Sequence, residues 1–278
     1  TLENRFGVNK MELISLKYAI FVIVLLVLYY CFPKKYRWYV LLAGSMAYYV
    51  IICKWYVLFI IFTICTTYGS TIWIDKLLKK QNAIVKSHKE DWDRQTRKEY
   101  KEKGRKKRVA VMLFALLCNF GILAFLKYIP YAGELGLLLP LGISFYTFQS
   151  MGYVMDVYRE IVEPEKNFLK VALFVSFFPQ IIQGPIAIYD KLAGQLYEGH
   201  SLRLENLQKG ALLVLWGVMK KLVIADRAVN IINFVMDKPM DFSGTYVFFA
   251  AVVYALQLYA DFSGGIDIVR GIAEMFGI

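Results

Sequence analysis

Trp38-Tyr-Val-Leu-Leu-Ala-Gly-Ser-Met-Ala-Tyr-Tyr-Val-Ile-Ile-Cys53 is followed, after Lys54 alone, by Trp55-Tyr-Val-Leu-Phe-Ile-Ile-Phe-Thr-Ile-Cys-Thr-Thr-Tyr-Gly-Ser-Thr-Ile-Trp-Ile74. A transmembrane helix needs about 20 apolar residues to cross about 30 Å of hydrocarbon. Two such runs parted by one lysine read as two consecutive spans. Tyr29, Tyr30, Tyr36, Trp38 and Tyr39 gather before the first run, and Tyr48, Tyr49, Trp55 and Tyr56 gather around Lys54. Aromatic rings favour the two bilayer interfaces, so these clusters mark both edges.

The pattern continues outward from there. Upstream, residues 18–32 form an uncharged block, with Lys17 able to snorkel from its start. Pro33-Lys34-Lys35-Tyr36-Arg37 follows it where a signal peptide would carry a small-residue cleavage site, which excludes that reading. Downstream, residues 109–126, 135–155, 171–189 and 242–260 are further uncharged blocks. Shorter apolar stretches at 211–219 and 228–236 surround Lys220, Lys221, Asp226 and Arg227. The fold class is therefore all-α: a polytopic integral membrane protein with about seven to nine hydrophobic helices.

Composition agrees. Of 278 residues, 58% are hydrophobic and only 20% charged, and mean hydropathy is +0.46. A soluble domain would be about half apolar and a quarter charged. Intrinsic disorder is excluded, because so apolar a chain does not stay unpacked in water. The net charge of +11 is concentrated: residues 76–108 carry 14 Lys+Arg against 5 Asp+Glu. That basic loop lies between two hydrophobic blocks, so it reads as a cytoplasmic marker and not as a nucleic-acid surface. Glu90–Arg94, Asp93–Arg97, Glu99–Lys103 and Glu102–Lys106 are spaced i to i+4, as in a solvated helix. The 34–37 turn and the 76–108 loop fall on one side if the first three blocks all span. This puts residues 1–17 in an extracytoplasmic segment, with the N-terminus outside a multi-pass plasma-membrane protein.

Two places interrupt the apolar pattern. Pro179, Gly184 and Pro185 break the 171–189 block, and each proline removes a helix hydrogen bond. Irregular backbone at membrane depth persists only where protein or a water-filled cavity covers it, so 171–189 reads as a re-entrant element. Its turn residues Gln180, Gln183, Gly184 and Pro185 could approach a ligand through their backbone or cap two half-helices. At the end of the 242–260 block, Asp261, Ser263 and Asp267 surround the Gly264–Gly265 pair. Intramembrane acids are costly and mark polar cavities. Alternatively, Asp261 ends the span at the interface and the glycines form a turn.

Other chemistry is poorly provided for. Cys31, Cys53, Cys65 and Cys118 lie in apolar blocks without a C-x-x-C pair and read as buried packing residues. His88 and His200 have no metal-ligand spacing to them, so no metal site is expected. His88 reads as a solvated histidine and His200 as a helix-start or surface residue. Neither sits where a Ser-His-Asp or Cys-His arrangement needs it. No internal repeat is detectable.

Three motifs, in order, resemble the membrane-bound O-acyltransferases, in the branch of alginate O-acetylation and teichoic-acid D-alanylation proteins. They are Leu141-Gly-Ile-Ser-Phe-Tyr-Thr-Phe-Gln-Ser-Met-Gly-Tyr-Val-Met-Asp-Val-Tyr-Arg159, Ser176-Phe-Phe-Pro-Gln-Ile-Ile-Gln-Gly-Pro185 and Tyr259-Ala-Asp-Phe-Ser-Gly-Gly-Ile-Asp267. The resemblance runs from about Pro33 to the last residue, and residues 168–196 look closest to the alginate O-acetylation type. It implies a helical disc with a cytoplasmic funnel for an acyl thioester, either acetyl-CoA or an acylated carrier protein, with no bound cofactor. It also implies an extracytoplasmic partner protein that passes the acyl group on to a polysaccharide hydroxyl. By this resemblance Phe178, Pro179, Gln180, Gln183, Gly184 and Pro185 lie near the funnel, while Asp261, Ser263 and Asp267 wall the tunnel.

Family catalysis relies on histidines in a Trp-Arg-Arg-Trp-His-like segment and further on, and nothing here matches them. Residues 18–278 are therefore expected to be an incomplete, N-terminal part of such a domain. They carry no catalytic residue of their own and are inactive alone. The start at Thr1, ahead of a plausible initiator Met11, and the stop inside an apolar segment fit a fragment. The competing expectations are a non-catalytic scaffold and a membrane transporter.

Overall fold

The computed structural model describes residues 13–88, 91–128 and 139–278, and every described element is helical. The Glu90–Arg94 pairing, most of the 1–17 segment and the start of the 135–155 block lie outside the described residues.

Ser15 opens α1 (Leu16–Cys31): its hydroxyl accepts the Tyr18 N–H at 3.2 Å, satisfying one of the orphan donors of the first turn. The helix stops at Phe32, ahead of Pro33. A 3₁₀ turn, Lys34–Tyr36, leads into α2 (Arg37–Cys53), and a second, Lys54–Tyr56, leads into α3 (Val57–Ser87). Lys54 adopts a positive φ of 48°, so the helical run breaks at the one charged residue between Trp38 and Ile74.

The basic segment is not a loop. Helix α3 continues well past Ile74, and α4 (Arg94–Tyr128) begins long before the apolar block at Val109. The two run antiparallel. Gln81 Nε2 donates to the Lys101 carbonyl at 3.1 Å, and further along Asn119 Nδ2 donates to Thr66 Oγ1 at 3.0 Å. Among the charged pairs read from the sequence, Glu102 takes Arg105 at i+3, at 2.9 Å, and not Lys106.

The chain divides into two compact units. In the first, which comprises Leu41–Ile181 and Ile186–Tyr197, α3, α4 and α5 (Ile143–Tyr158) pack on one another. Thr67, Ser70 and Thr71 on α3 return their hydroxyls to the carbonyls of Thr63, Thr66 and Thr67, so they sit in a close-packed interior without orphaned donors. Helix α6 (Phe168–Ser176) is buried from Val171 to Ser176, and Gln149 Nε2 donates to its Phe174 carbonyl at 2.8 Å. Helix α8 (Tyr189–Tyr197) brings Tyr189 to stack on Tyr153, with centroids 4.0 Å apart.

Of the described residues, the second unit takes 13–40, Ile182–Pro185 and Glu198–Ile278. Here α9 (Leu204–Met219), a π-helical turn (Lys220–Ala225) and α10 (Asp226–Met236) form one helical path, and all three pack on α11 (Gly244–Phe276). The two short apolar stretches of the sequence thus join through the charges between them.

Arg37 pins this unit together. Nearly buried, it donates to the carbonyls of Phe32, Tyr30 and His200, and it lies over the rings of Tyr29 and Tyr30 at 5.4 and 5.2 Å. Charge-assisted bonds and cation–π contacts are each worth about 1 kcal/mol or more. Arg37→Ala is expected to lower stability by about 2 kcal/mol, and Arg37→Lys, which lacks the planar fork, by nearly as much. Unfolding midpoints in mixed detergent micelles check this. A neutral Arg37→Lys would assign the effect to charge alone.

The outer surface is apolar. Leu113, Phe114 and Leu117 on α4 and Phe248, Phe249 and Leu256 on α11 are exposed. The helical stretches Lys34–Ser87, Arg94–Tyr128 and Gly244–Phe276 are long and apolar enough to cross a membrane, while at most 33% of their apolar windows is buried by protein. Water does not tolerate such a skin, and lipid does. The same exposure corrects the cysteine reading. Cys53 alone is buried, whereas Cys31 and Cys65 are exposed and Cys118 is intermediate. Cys65 lies on the exposed face of a helix long and apolar enough to cross a membrane, and Cys31 ends the shorter apolar helix α1.

Candidate functional site

The broken element takes the form that its prolines demand. Helix α6 ends at Ser176, with Phe177 as its cap, α7 (Phe178–Gln183) starts at once, and 184–188 are not helical. Pro179 falls in the first turn of α7, where its missing N–H would have had no intrahelical acceptor. Phe178, Pro179 and Gln180 are buried. The Phe178 N–H, stranded at the helix break, donates to Ser45 Oγ at 3.1 Å, and its ring lies 6.0 Å from Tyr48. At the start of α5, Gly142 has φ +69° and backs onto the Ile181 carbonyl, where any Cβ would collide. Protein therefore covers the break between α6 and α7, whereas Pro185, Ile186 and Ile188 of the non-helical stretch that follows are exposed.

In the second unit the structure removes one of the two sequence alternatives. Gly264–Gly265 do not turn the chain, because α11 runs through Asp261 and both glycines without a break. The glycines are contact points instead. Gly217 faces Gly264 and Gly210 faces Gly271, each pair close enough that a Cβ on Gly217 or on Gly210 would stand 2.5 Å from the opposing carbonyl oxygen. Both pairs are spaced seven residues apart, which keeps one seam of each helix facing the other. Gly265 receives the side-chain amide of Gln183 against its α-carbon.

Both acids are paired. Lys220 Nζ lies 2.6 Å from Asp267 Oδ2, with the two side chains only 17% and 14% exposed. Lys221 pairs with Asp261. The lysines are adjacent in sequence and open the π-helical turn, a rare geometry that recurs at functional sites. Between the two ion pairs, Ser263 Oγ is buried without a hydrogen-bond partner. Sequence reading singled out both acids but not their partners. A Lys-Lys pair amid apolar residues was the available signal, since buried charge needs opposite charge nearby.

The sites thus divide. Gln183, Gly184, Pro185, Asp261, Ser263 and Asp267 fall in the second unit, where Gln183 packs against α11, while Phe178, Pro179 and Gln180 fall in the first. The histidines serve the architecture. His88 caps α3 and stacks on Trp92, with centroids 4.8 Å apart. The His200 backbone is held by Arg37 and by the Tyr29 hydroxyl, so it forms a half-buried junction ahead of α9.

Three helical stretches long and apolar enough to cross a membrane, with apolar side chains exposed along them, define a helical membrane protein. No protein-family model matches the chain. It is 32% identical over 205 residues to the peptidoglycan O-acetyltransferase of Helicobacter pylori, an alignment covering 60% of this chain and 39% of that protein. It is 36% identical over 142 residues to the probable alginate O-acetylase AlgI of Pseudomonas syringae pv. tomato, covering 50% of this chain and 27% of that protein. The probable alginate O-acetylase AlgI of Pseudomonas aeruginosa is 34% identical over 143 residues, covering 51% and 27%. The chain spans between 27% and 39% of the length of these curated relatives. The likeness read from the three motifs is thereby supported: the chain resembles O-acetyltransferases of the membrane-bound O-acyltransferase type.

Proposed function

We propose that the intact protein is a membrane-bound O-acetyltransferase that moves an acetyl group from a cytoplasmic thioester towards a hydroxyl of an exported polysaccharide or of peptidoglycan. The observation that carries this is the similarity to the peptidoglycan and alginate enzymes over half of the chain or more. The donor is acetyl-CoA or an acylated carrier protein, and an extracytoplasmic partner completes delivery. The basic α3–α4 hairpin faces the cytoplasm of the plasma membrane and the N-terminus faces outward, in keeping with the positive-inside rule.

Gln183 and the α11 cluster wall the acyl path, and Phe178, Pro179 and Gln180 hold the broken element near the donor. With Asp261 and Asp267 each neutralised by a lysine, the acids shape this path and do not act as a free base or cation relay. This favours the acyltransferase over a transporter that uses those carboxylates.

The test is acetyl transfer by the whole protein in liposomes, supplied with labelled acetyl thioester, partner protein and polysaccharide. Labelled product is expected, and none with all components present overturns the proposal. The 278-residue chain by itself is expected to give no turnover, because nothing in it matches the histidine segment on which catalysis in the resembled family relies. Product from the purified chain would overturn that part.

A further inference from the structure

Hydroxyl groups gather in the interior of the first unit, where two helices turn polar faces towards each other. On α2, Ser45, Tyr49 and Cys53 are spaced i, i+4 and i+8 and so share one face. On α5, Tyr146 and Ser150 are spaced i, i+4 and do the same. The two faces meet where the rings of Tyr49 and Tyr146 cross edge-on, with centroids 6.3 Å apart. The broken element closes a third side. The Phe178 N–H donates to Ser45 Oγ at 3.1 Å, and Ser176 ends α6 two residues earlier.

Tyr49, Ser150 and Ser176 are 0% exposed and Tyr146 is 1% exposed. The Tyr49 hydroxyl lies within electrostatic reach of the Tyr146 hydroxyl and the Cys53 thiol. Yet no hydrogen bond of good geometry reaches either phenol, and the Ser150 and Ser176 hydroxyls also lack a partner among the described residues. The neighbouring helix shows the usual remedy: Thr67, Ser70 and Thr71 on α3 return their hydroxyls to carbonyls of the preceding turn. Ser150 sits in a helix with the same option and leaves it unused. Gln149 beside it is already spent, on the Phe174 carbonyl at 2.8 Å.

A buried hydroxyl without a partner is costly, and buried polar groups are ordinarily bonded to protein or to ordered water. An internal water needs about two to four polar partners, which these hydroxyls supply, and the small serines stand beside the large rings. The set is neutral and contains no carboxylate, so it suits water and not a cation. We infer that the junction of α2, α5 and α6 holds an ordered internal water cluster bonded to Tyr49, Tyr146, Ser150 and Ser176. The cluster ties the end of α6 to its two neighbours at the helix break.

The experiment pulses the full chain in nanodiscs with X-rays, which turn bound water into hydroxyl radicals that mark the nearest side chains, read by mass spectrometry. Tyr49 and Tyr146 are expected to be marked at least about fivefold faster than Tyr29, which is equally buried but already accepts the His200 N–H. Tyr146→Phe removes one partner of the water and is expected to slow the marking of Tyr49. Ser150→Ala and Ser176→Ala are each expected to lower the unfolding midpoint, because each leaves a water short of a bond. Marking of Tyr49 and Tyr146 no faster than that of Tyr29 overturns the inference, as does unchanged Tyr49 marking in Tyr146→Phe. So does an unchanged or raised midpoint in the serine variants, the sign of a dry hydroxyl relieved of its desolvation. Neither readout involves acetyl transfer, so the inference stands or falls apart from the acetyltransferase reading.

Discussion

Lys220→Met is expected to destabilise the membrane-inserted protein by about 3–5 kcal/mol, the loss typical when one partner of a buried ion pair is removed. The cause is less the lost attraction than the Asp267 carboxylate left behind, only 14% exposed and 2.6 Å from where its counter-charge stood. The double variant Lys220→Met/Asp267→Leu removes both charges and is expected to recover most of the loss. The Lys221–Asp261 pair is more exposed, at 25% and 37%, and Lys221→Met is expected to do less harm. Unfolding titrations in mixed micelles, arranged as a double-mutant cycle, measure the coupling directly. A double variant no better than the single would show that the pair holds the helices by shape and not by charge.

The second large effect is steric. Gly217→Ala is expected to cost about 1–3 kcal/mol and Gly217→Leu to prevent assembly of the α9–α11 seam altogether. The obstacle is backbone: the new Cβ would sit 2.5 Å from the Gly264 carbonyl oxygen, and no rotamer change can move a carbonyl inside a helix. Gly121 in α4 provides the contrast, since a Cβ there meets nothing within 4 Å. Gly121→Ala is expected to be neutral or mildly stabilising, because alanine is the better helix former. Equal behaviour at both positions, read from the same unfolding midpoints, would mean that the seam opens freely.

What the sequence made legible follows from which signals are local. Apolar blocks gave the helices because hydrocarbon thickness sets their length, and Pro179 with Gly184 and Pro185 marked the broken element because proline acts on its own backbone. The i to i+4 charge pairs marked helix in the basic segment, but not that the flanking apolar helices run on into it without a break, because charge hides that continuation. At Gly264–Gly265 the local rule pointed to a turn, and tertiary contact overrode it. Only the presence of Gly217 and Gln183 on the facing surface explains why residues without side chains stand there. The pairing of Asp267 with Lys220 spans dozens of residues and a change of helix type, so no window of sequence displays it. The three motifs, by contrast, pointed to the same enzymes that the comparisons with curated relatives bring out.

The two ion pairs also bear on how the chain enters the bilayer. A lysine or aspartate alone at the centre of a span disfavours insertion by about 2.5–3.5 kcal/mol. The segment bearing Lys220 and Lys221 leaves the ribosome first, and that bearing Asp261 and Asp267 follows. Each is a poor passenger by itself, and together they are nearly neutral. The earlier helix is therefore expected to integrate stably only once the later one has docked against it and paired its charges.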